Sequence, residues 1–277
     1  MNSVKFDSVK FALGTAALGG LLTMATGAQA AILGQANNGD VLLIDTTNAT
    51  ATLFLDLADV ASDQPNLSPN ALGYNGSAFR TNWLEGGAGN TLLYRNDTLI
   101  LTTPSPQFSV AAGDVVGDTY YYVDRQFMFS KVTGINGGSA TNVDILDLDG
   151  GGGGFTMGDL TISSTGTMYL SYGNSNLTSY DLSGNNPVNF SGAARRYAGL
   201  AFDGNTLYGV TGGDGTASDL YRLAISGTTV TPVLVGQIQY NGGTVALTDA
   251  APVPVPAALP LLGSALVALG VIRRRTS

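Results

Sequence analysis

The feature that most constrains this chain is a recurring glycine. Gly73, Gly113, Gly158 and Gly199 each open a similar phrase, at intervals of 40, 45 and 41 residues. The two clearest copies are GDLTISSTGTMYLSYGNSNLTSYDL from Gly158 and AGLAFDGNTLYGVTGGDGTASDLYRLAI from Ala198. In each, a glycine (Gly166 or Gly204) stands just before an apolar-Tyr pair, Met168-Tyr169 or Leu207-Tyr208, where a tight hairpin needs positive φ. Further on, Ser179-Tyr180-Asp181-Leu182 matches Leu220-Tyr221-Arg222-Leu223, and the alternation gives each strand one buried and one wet face. Weaker copies begin near Leu72 (ALGYNGSAF, then TLLYRNDTLIL) and Ala112 (AGDVVGDTYYYV, then FMFSKVTG). A period near forty residues with four strands per copy is that of a propeller blade.

The ends of the repeat region fit together. Gly243 starts another copy, GTVALTD, that is cut short, while Ile32 to Leu57 holds ILGQ, DVLLID and TATLFLDL, three strands lacking a first. The expectation is an all-β fold, a β-propeller-like ring of about five four-stranded blades spanning residues 31–250. The strand around Val245 to Leu247 would close the blade begun at Ile32, leaving no free sheet edge at the seam. A β-sandwich or an open β-solenoid with coincidental spacing is the competing reading.

Composition agrees with a turn-rich exported β-protein: 38 Gly, 12% charged residues, no Cys and no His. The two missing residue types remove disulfides, thiolate nucleophiles, imidazole metal ligands and any histidine-dependent triad. Of 20 acidic and 12 basic residues, one acid and two lysines fall in the first thirty and three arginines in the last five, so the body is strongly acidic. Such a surface opposes nucleic acid and anionic lipid and favours neutral glycans, cations or other proteins as partners.

Both termini read as targeting elements. Met1 to Ala30 has Lys5 and Lys10, an apolar run from Phe11 to Leu22 and small residues at Ala28 and Ala30, a signal-peptide helix cleaved after Ala30. Its handlers would be the Sec translocon and signal peptidase. The tail, residues 251–277, places Pro252, Val253, Pro254, Val255, Pro256 and Ala257 before an apolar run from Ala257 to Ile272, then Arg273, Arg274 and Arg275. The prolines forbid helix before Ala257. The sixteen residues that follow span roughly 24 Å as a helix, marginal against a hydrocarbon core of about 30 Å. The arginines set its end on the cytoplasmic side as a single transmembrane anchor.

This three-part tail resembles the PEP-CTERM class of bacterial sorting signals, in particular the VPLPA-CTERM subclass, with PVPVPA at Pro252 to Ala257 and Val255 where that subclass has Leu. The resemblance implies recognition and cleavage by an exosortase, export to the cell surface and an association with extracellular polysaccharide. The body, with its LYG and LYRL phrases, also resembles propeller-like repeats carried by exported bacterial proteins with such tails. The chain is then held in the inner membrane by its C-terminal helix before reaching the surface or the medium.

Asp144, Asp147 and Asp149 precede a five-glycine run and offer oxygen ligands, yet the spacing matches no EF-hand, with glycine at one ligand position and no later glutamate. The glycine run lacks the Lys-Ser/Thr of a phosphate loop. Trp83 and Glu85, each the sole residue of its type, share a Gly-rich stretch with Arg80, a combination able to stack and hydrogen-bond a sugar. Tyr120, Tyr121, Tyr122, Phe127 and Phe129 read as strand packing, and Arg195-Arg196 as a solvated turn. Asp40, Asp114, Asp159 and Asp203 recur singly at equivalent repeat positions and read as turn residues. No catalytic residue, metal ligand or cofactor is therefore assigned, and the ligand-binding residues are left open. The preferred function is a noncatalytic surface propeller that binds glycan or protein, and the alternative is an exported hydrolase or lyase working with carboxylates alone.

Overall fold

A computed structural model describes residues 30–56, 67–84, 91–96, 98–103, 110–148, 158–173, 175–212 and 215–253. The signal segment up to residue 29, Glu85, Asp149 with the glycine run, and the tail from residue 254 with its arginines lie outside them. Among the described residues no helix is long and apolar enough to cross a membrane.

The described chain is all β. Blade 1 contains β1 (Ala31–Ala36), β2 (Val41–Asp45) and β3 (Thr50–Leu55). Blade 2 is β4 (Leu67–Tyr74), β5 (Ala78–Leu84), β6 (Thr91–Arg95) and β7 (Thr98–Thr103). Blade 3 is β8 (Val110–Val116), β9 (Thr119–Asp124), β10 (Met128–Thr133) and β11 (Thr141–Asp147). Blade 4 is β12 (Gly158–Ile162), β13 (Thr167–Tyr172), β14 (Asn176–Asp181) and β15 (Val188–Phe190). Blade 5 is β16 (Gly199–Asp203), β17 (Thr206–Val210), β18 (Asp219–Ser226) and β19 (Thr229–Gln237). The chain then forms β20 (Gln239–Tyr240), β21 (Gly243–Thr244) and β22 (Leu247–Pro252). Blades 2 to 5 are four-stranded antiparallel meanders, and their inner strands β4, β8, β12 and β16 pack in a circle that β22 completes. This is a five-bladed β-propeller, with the glycines of the repeat marking the inner strands.

The hairpin glycines behave as their spacing requires. Gly166 and Gly204 sit at φ +80° and +58° in the turns joining first to second strand, a region closed to most L-residues. The alternation works equally well: along β13, Met168 and Leu170 are buried toward blade 3, while Tyr169 packs with Phe190 and Phe202 toward blade 5. The hydrophobic core is accordingly divided into five clusters, one at each blade-to-blade interface.

The seam is built as expected in kind but not in position. β22 pairs antiparallel with β1, Ile32 opposite Pro252 and Gln35 opposite Asp249. Only Leu247 of the expected closing segment belongs to that strand. Val245 instead bonds with Ile238 and Ser218, while Leu247, fully buried, fills space beside Gly34 and Ile44. The ring therefore runs into the segment read as tail, and Ala251 and Pro252 belong to the innermost strand. Pro252 stands at the strand end, where a missing N–H does least harm. A short hairpin, β20 with β21, adds a parallel pairing outside β3. Two-residue strands carry no periodicity, so nothing in the sequence signalled it.

Candidate functional site

Two places gather polar chemistry, one at the ring axis and one at the rim of blade 5. At the axis, inner strands approach closely enough that a Cβ on Gly199 would stand 2.6 Å from the backbone N of Ala250. Asp114 on β8, Asp159 on β12 and Asp249 on β22 project into this closed centre and are at most 1% exposed. They share one arrangement. Each Oδ1 accepts the next amide of its own strand at 2.7 Å: Val115, Leu160 and Ala250 respectively. Each Oδ2 reaches the following blade, Asp114 accepting Ile162 N at 2.8 Å, Asp159 accepting Leu200 N at 2.6 Å and Asp249 accepting Leu72 N at 2.6 Å. Where no such aspartate links blades 2 and 3, the Tyr120 hydroxyl donates to Ala71 O at 2.6 Å. Blades 5 and 1 are tied by Thr46 Oγ1 donating to Asp203 Oδ2 at 2.8 Å.

Burial dominates the acidity of these groups. It pushes the Asp114 carboxyl up from 3.8 to about 7, against the pull of its three hydrogen-bond donors, Ile162, Val115 and Thr161. Asp159 and Asp249 are raised chiefly by burial as well, and their carboxyls are hydrogen-bonded to each other. The acids thus converge, as a carboxylate enzyme would need, but each oxygen already serves backbone amides and solvent does not reach them. The expectation that Asp114 and Asp159 sit at turns is corrected: they lie on inner strands, where neighbouring blades present edge amides in need of acceptors. Asp40 and Asp203 do lie at strand ends beside turns, Asp40 hydrogen-bonded to Asn38. Asp249 is absent from the sequence-derived set of acids, although Thr248-Asp249 repeats the small-residue-then-Asp pattern of Gly113-Asp114 and Gly158-Asp159.

The rim site is open. A cleft of about 360 Å³ is lined by Arg195, Arg196, Thr211, Gly212, Thr216, Ala217 and Asp219. It is formed by the segment before β16 and the loop joining β17 to β18. Tyr197 anchors the first segment, fully buried against Gly209, which has no side chain to displace the ring. Ala194, at φ +53°, bends the chain, and two successive arginines line one cleft. The Arg195 guanidinium lies 4.7 Å above the Tyr221 ring, a cation–π contact. Arg196 Nη2 donates to Gly212 O at 3.4 Å, and Thr211 Oγ1 accepts Asp219 N at 3.0 Å. The solvated turn of the sequence reading is thus the wall of a cleft, and Thr211 and Asp219 gave no sign of belonging to it, since loop packing alone brings them together.

The remaining candidates disperse. Arg80 and Trp83 are on strand β5, not in a loop, and Arg80 is 1% exposed with its Nη1 3.5 Å from Gly39 O. Arg80 is thereby withdrawn from any exposed sugar platform. Asp144 and Asp147 lie on the outer strand β11, Asp144 accepting Ser130 Oγ at 2.9 Å, and among the described residues no cluster of three potential ligands could hold a metal ion. The aromatic run is packing as expected: Tyr121 stacks on Phe129 at 6.0 Å and Phe127 meets Tyr172 edge-on at 5.2 Å.

A five-bladed propeller with a sealed, carboxyl-stapled axis and a polar cleft at its rim defines the class. No protein-family model matches the sequence, and no curated protein does. Solved structures are similar in fold: a protein of unknown function from Bacteroides thetaiotaomicron superposes with a TM-score of 0.50 and 16% identity, over 80% of this chain and 62% of that one. A luciferin-regenerating enzyme gives 0.48 and 11%, covering 83% and 80%. A protein of unknown function from Bacteroides caccae gives 0.45 and 10%, covering 73% and 72%.

Proposed function

We propose that this chain is an exported, tail-anchored surface protein whose propeller binds neutral glycan without catalysis, through the Arg195–Arg196 cleft. The observation that carries the binding role is the contrast between the two polar centres. The axis acids are sealed and fully engaged, whereas the rim cleft interleaves guanidinium donors with the Asp219 carboxylate and the hydroxyls of Thr211 and Thr216. Adjacent hydroxyls of a sugar ring accept from the first and donate to the second, so the pair suits a polyol without demanding net charge. The tail and signal segment support the rest of the reading: export through the Sec translocon, removal of the leader after Ala30, retention by the apolar run up to Arg273–Arg275, and processing by an exosortase-type enzyme at Pro252 to Ala257. Other surface proteins are the second partner class.

The full chain, solubilised from membranes, is to be tested on an array of neutral and acidic polysaccharides, with a hydrolysis assay on the same set. Retention on neutral glycans, weakened at least about tenfold by Arg195→Ala with Arg196→Ala, is the expected result. Binding unaffected by both substitutions would remove the cleft from the account. The hydrolase reading draws on the convergence of three aspartates at one axis. Turnover abolished by Asp159→Asn in a folded variant would establish it in place of binding alone.

A further inference from the structure

We propose that the carboxyls of Asp159 and Asp249, hydrogen-bonded to each other at the propeller axis, form a proton-dependent clasp on the ring-closing strand β22. Geometry makes the proton necessary. Both oxygens of each carboxyl already accept backbone amides, Leu160 and Leu200 for Asp159, Ala250 and Leu72 for Asp249. Two carboxylates have no hydrogen to place between them, so the bond joining the pair exists only while the pair holds one proton. The proton belongs to the pair, as in any strongly coupled dyad.

The strands around the pair offer it backbone amides but no cation. No lysine or arginine occurs on β1, β4, β8, β12, β16 or β22, the strands that enclose the axis. The titratable group that faces the pair is Tyr120 from β9, whose phenol is held in its neutral form by burial and by the two carboxyls, while Asp114 on β8 keeps its own amide donors. In blade 5, Asp203 is tied to Thr46 and Tyr208 packs in the core between blades 5 and 1. Burial raises both members of the pair, and removal of the shared proton sets two like charges together in a water-free centre.

The consequence falls on β22 because of where it lies in the chain. Four inner strands enter their blades through a tight turn to the next strand. β22 alone is held to its blade by hydrogen bonds to β1, which stands more than two hundred positions earlier in the chain. It is the ring's noncovalent seam, and Asp249 is its polar contact with blades 2 and 4. The clasp is closed in acidic and neutral surroundings and loosens as the pair ionises, exposing the strand that leads into the tail.

Hydrogen exchange of the full chain across pH 5.5 to 9, corrected for intrinsic amide rates, tests this. Protection of the amides of residues 247–251 is expected to fall about tenfold per pH unit once the pair ionises, more steeply than that of Asn176–Asp181 in blade 4. In Asp249→Asn the seam's extra loss of protection over blade 4 is expected to vanish. Asp159→Asn serves where that variant does not fold, and an infrared band of protonated carboxyl persisting at pH 7 in Asp114→Asn, where the other weak acid of the axis is gone, tests the pair without either substitution. Seam protection that is flat with pH, a fall shared equally by blade 4, an unchanged profile in the folded variant, or absence of the carboxyl band would each overturn the clasp.

Discussion

Asp114 makes a quantitative test of the axis, because it stands apart from the coupled pair and its acidity is set by burial. Its carboxyl titrates near 3.8 in an unfolded chain and about 7 in the ring. The folded state therefore holds the proton more tightly, and between those two values it binds more protons than the unfolded state. Stability must fall as pH rises through that window and level off above it. About three pH units at about 1.4 kcal/mol each give a loss of roughly 4 kcal/mol by pH 8. Asp181, whose exposed carboxyl is lowered to about 2 by Ser183, Asn185 and Asn186, acts oppositely, but only as pH falls below about 4, so the windows do not overlap. Urea unfolding of the protein and of Asp114→Asn at pH 4.5, 6 and 7.5 resolves the effect. At pH 4.5 the variant loses the acceptor for Ile162 or Val115 and is less stable by about 1–3 kcal/mol. At pH 7.5 the difference shrinks or reverses, because only the parent then carries a buried charge at position 114. Stability curves that run parallel across the three pH values would refute the assignment of a buried, weakly acidic Asp114.

Three further outcomes follow from the packing. Gly199→Ala places a Cβ 2.6 Å from Ala250 N and should cost at least about 1–3 kcal/mol by thermal or urea unfolding, whereas Gly236→Ala, whose Cβ would stand an ordinary 3.4 Å from Ala49, should change stability by less than about 0.5 kcal/mol. Tyr120→Phe removes the 2.6 Å bond to Ala71 O and leaves that carbonyl buried without its donor, a loss of about 1–3 kcal/mol. Truncation after Val253 should preserve cooperative unfolding while releasing the protein from the membrane fraction, and truncation before Leu247 should abolish folding. An identical fate for the two truncations would contradict the placement of the seam.

The architecture was legible because a repeat writes the same physics several times. One glycine in a hairpin is ambiguous, but Gly166 and Gly204 at matching offsets, each before an apolar-Tyr pair, fix turn, register and blade together. The seam was legible in kind, since three unaccompanied strands at one end need a partner from the other. Its register was not, because Val245 and Ala251 are equally apolar and only the side chain of Leu247 meeting Gly34 decides between them. Arg80 shows the opposite failure. Followed by Thr and Asn and then a Gly-rich stretch, it reads as a loop residue, yet β5 is buried on both faces from residue 78 to 81 and Gly39 O receives the guanidinium. The rim cleft could not be read at all, because Arg196 and Gly212 meet through two loops whose packing no period encodes.

The aspartates of the axis follow from ring geometry. Five inner strands meet at one axis, each with an edge whose amides have no strand beside them, and buried amides must find acceptors. Water cannot enter a centre so narrow that glycines at 73 and 199 are needed for the strands to approach. A short side chain with two acceptor oxygens solves the problem twice over, satisfying an amide of its own strand and one of the next blade, as Asp114, Asp159 and Asp249 do. Asparagine could satisfy one and would present a donor to the other. The same requirement that excludes solvent makes the acids weak, so the residues that hold the blades together also tie their association to the proton, most directly at β22, where the ring is closed by hydrogen bonds alone.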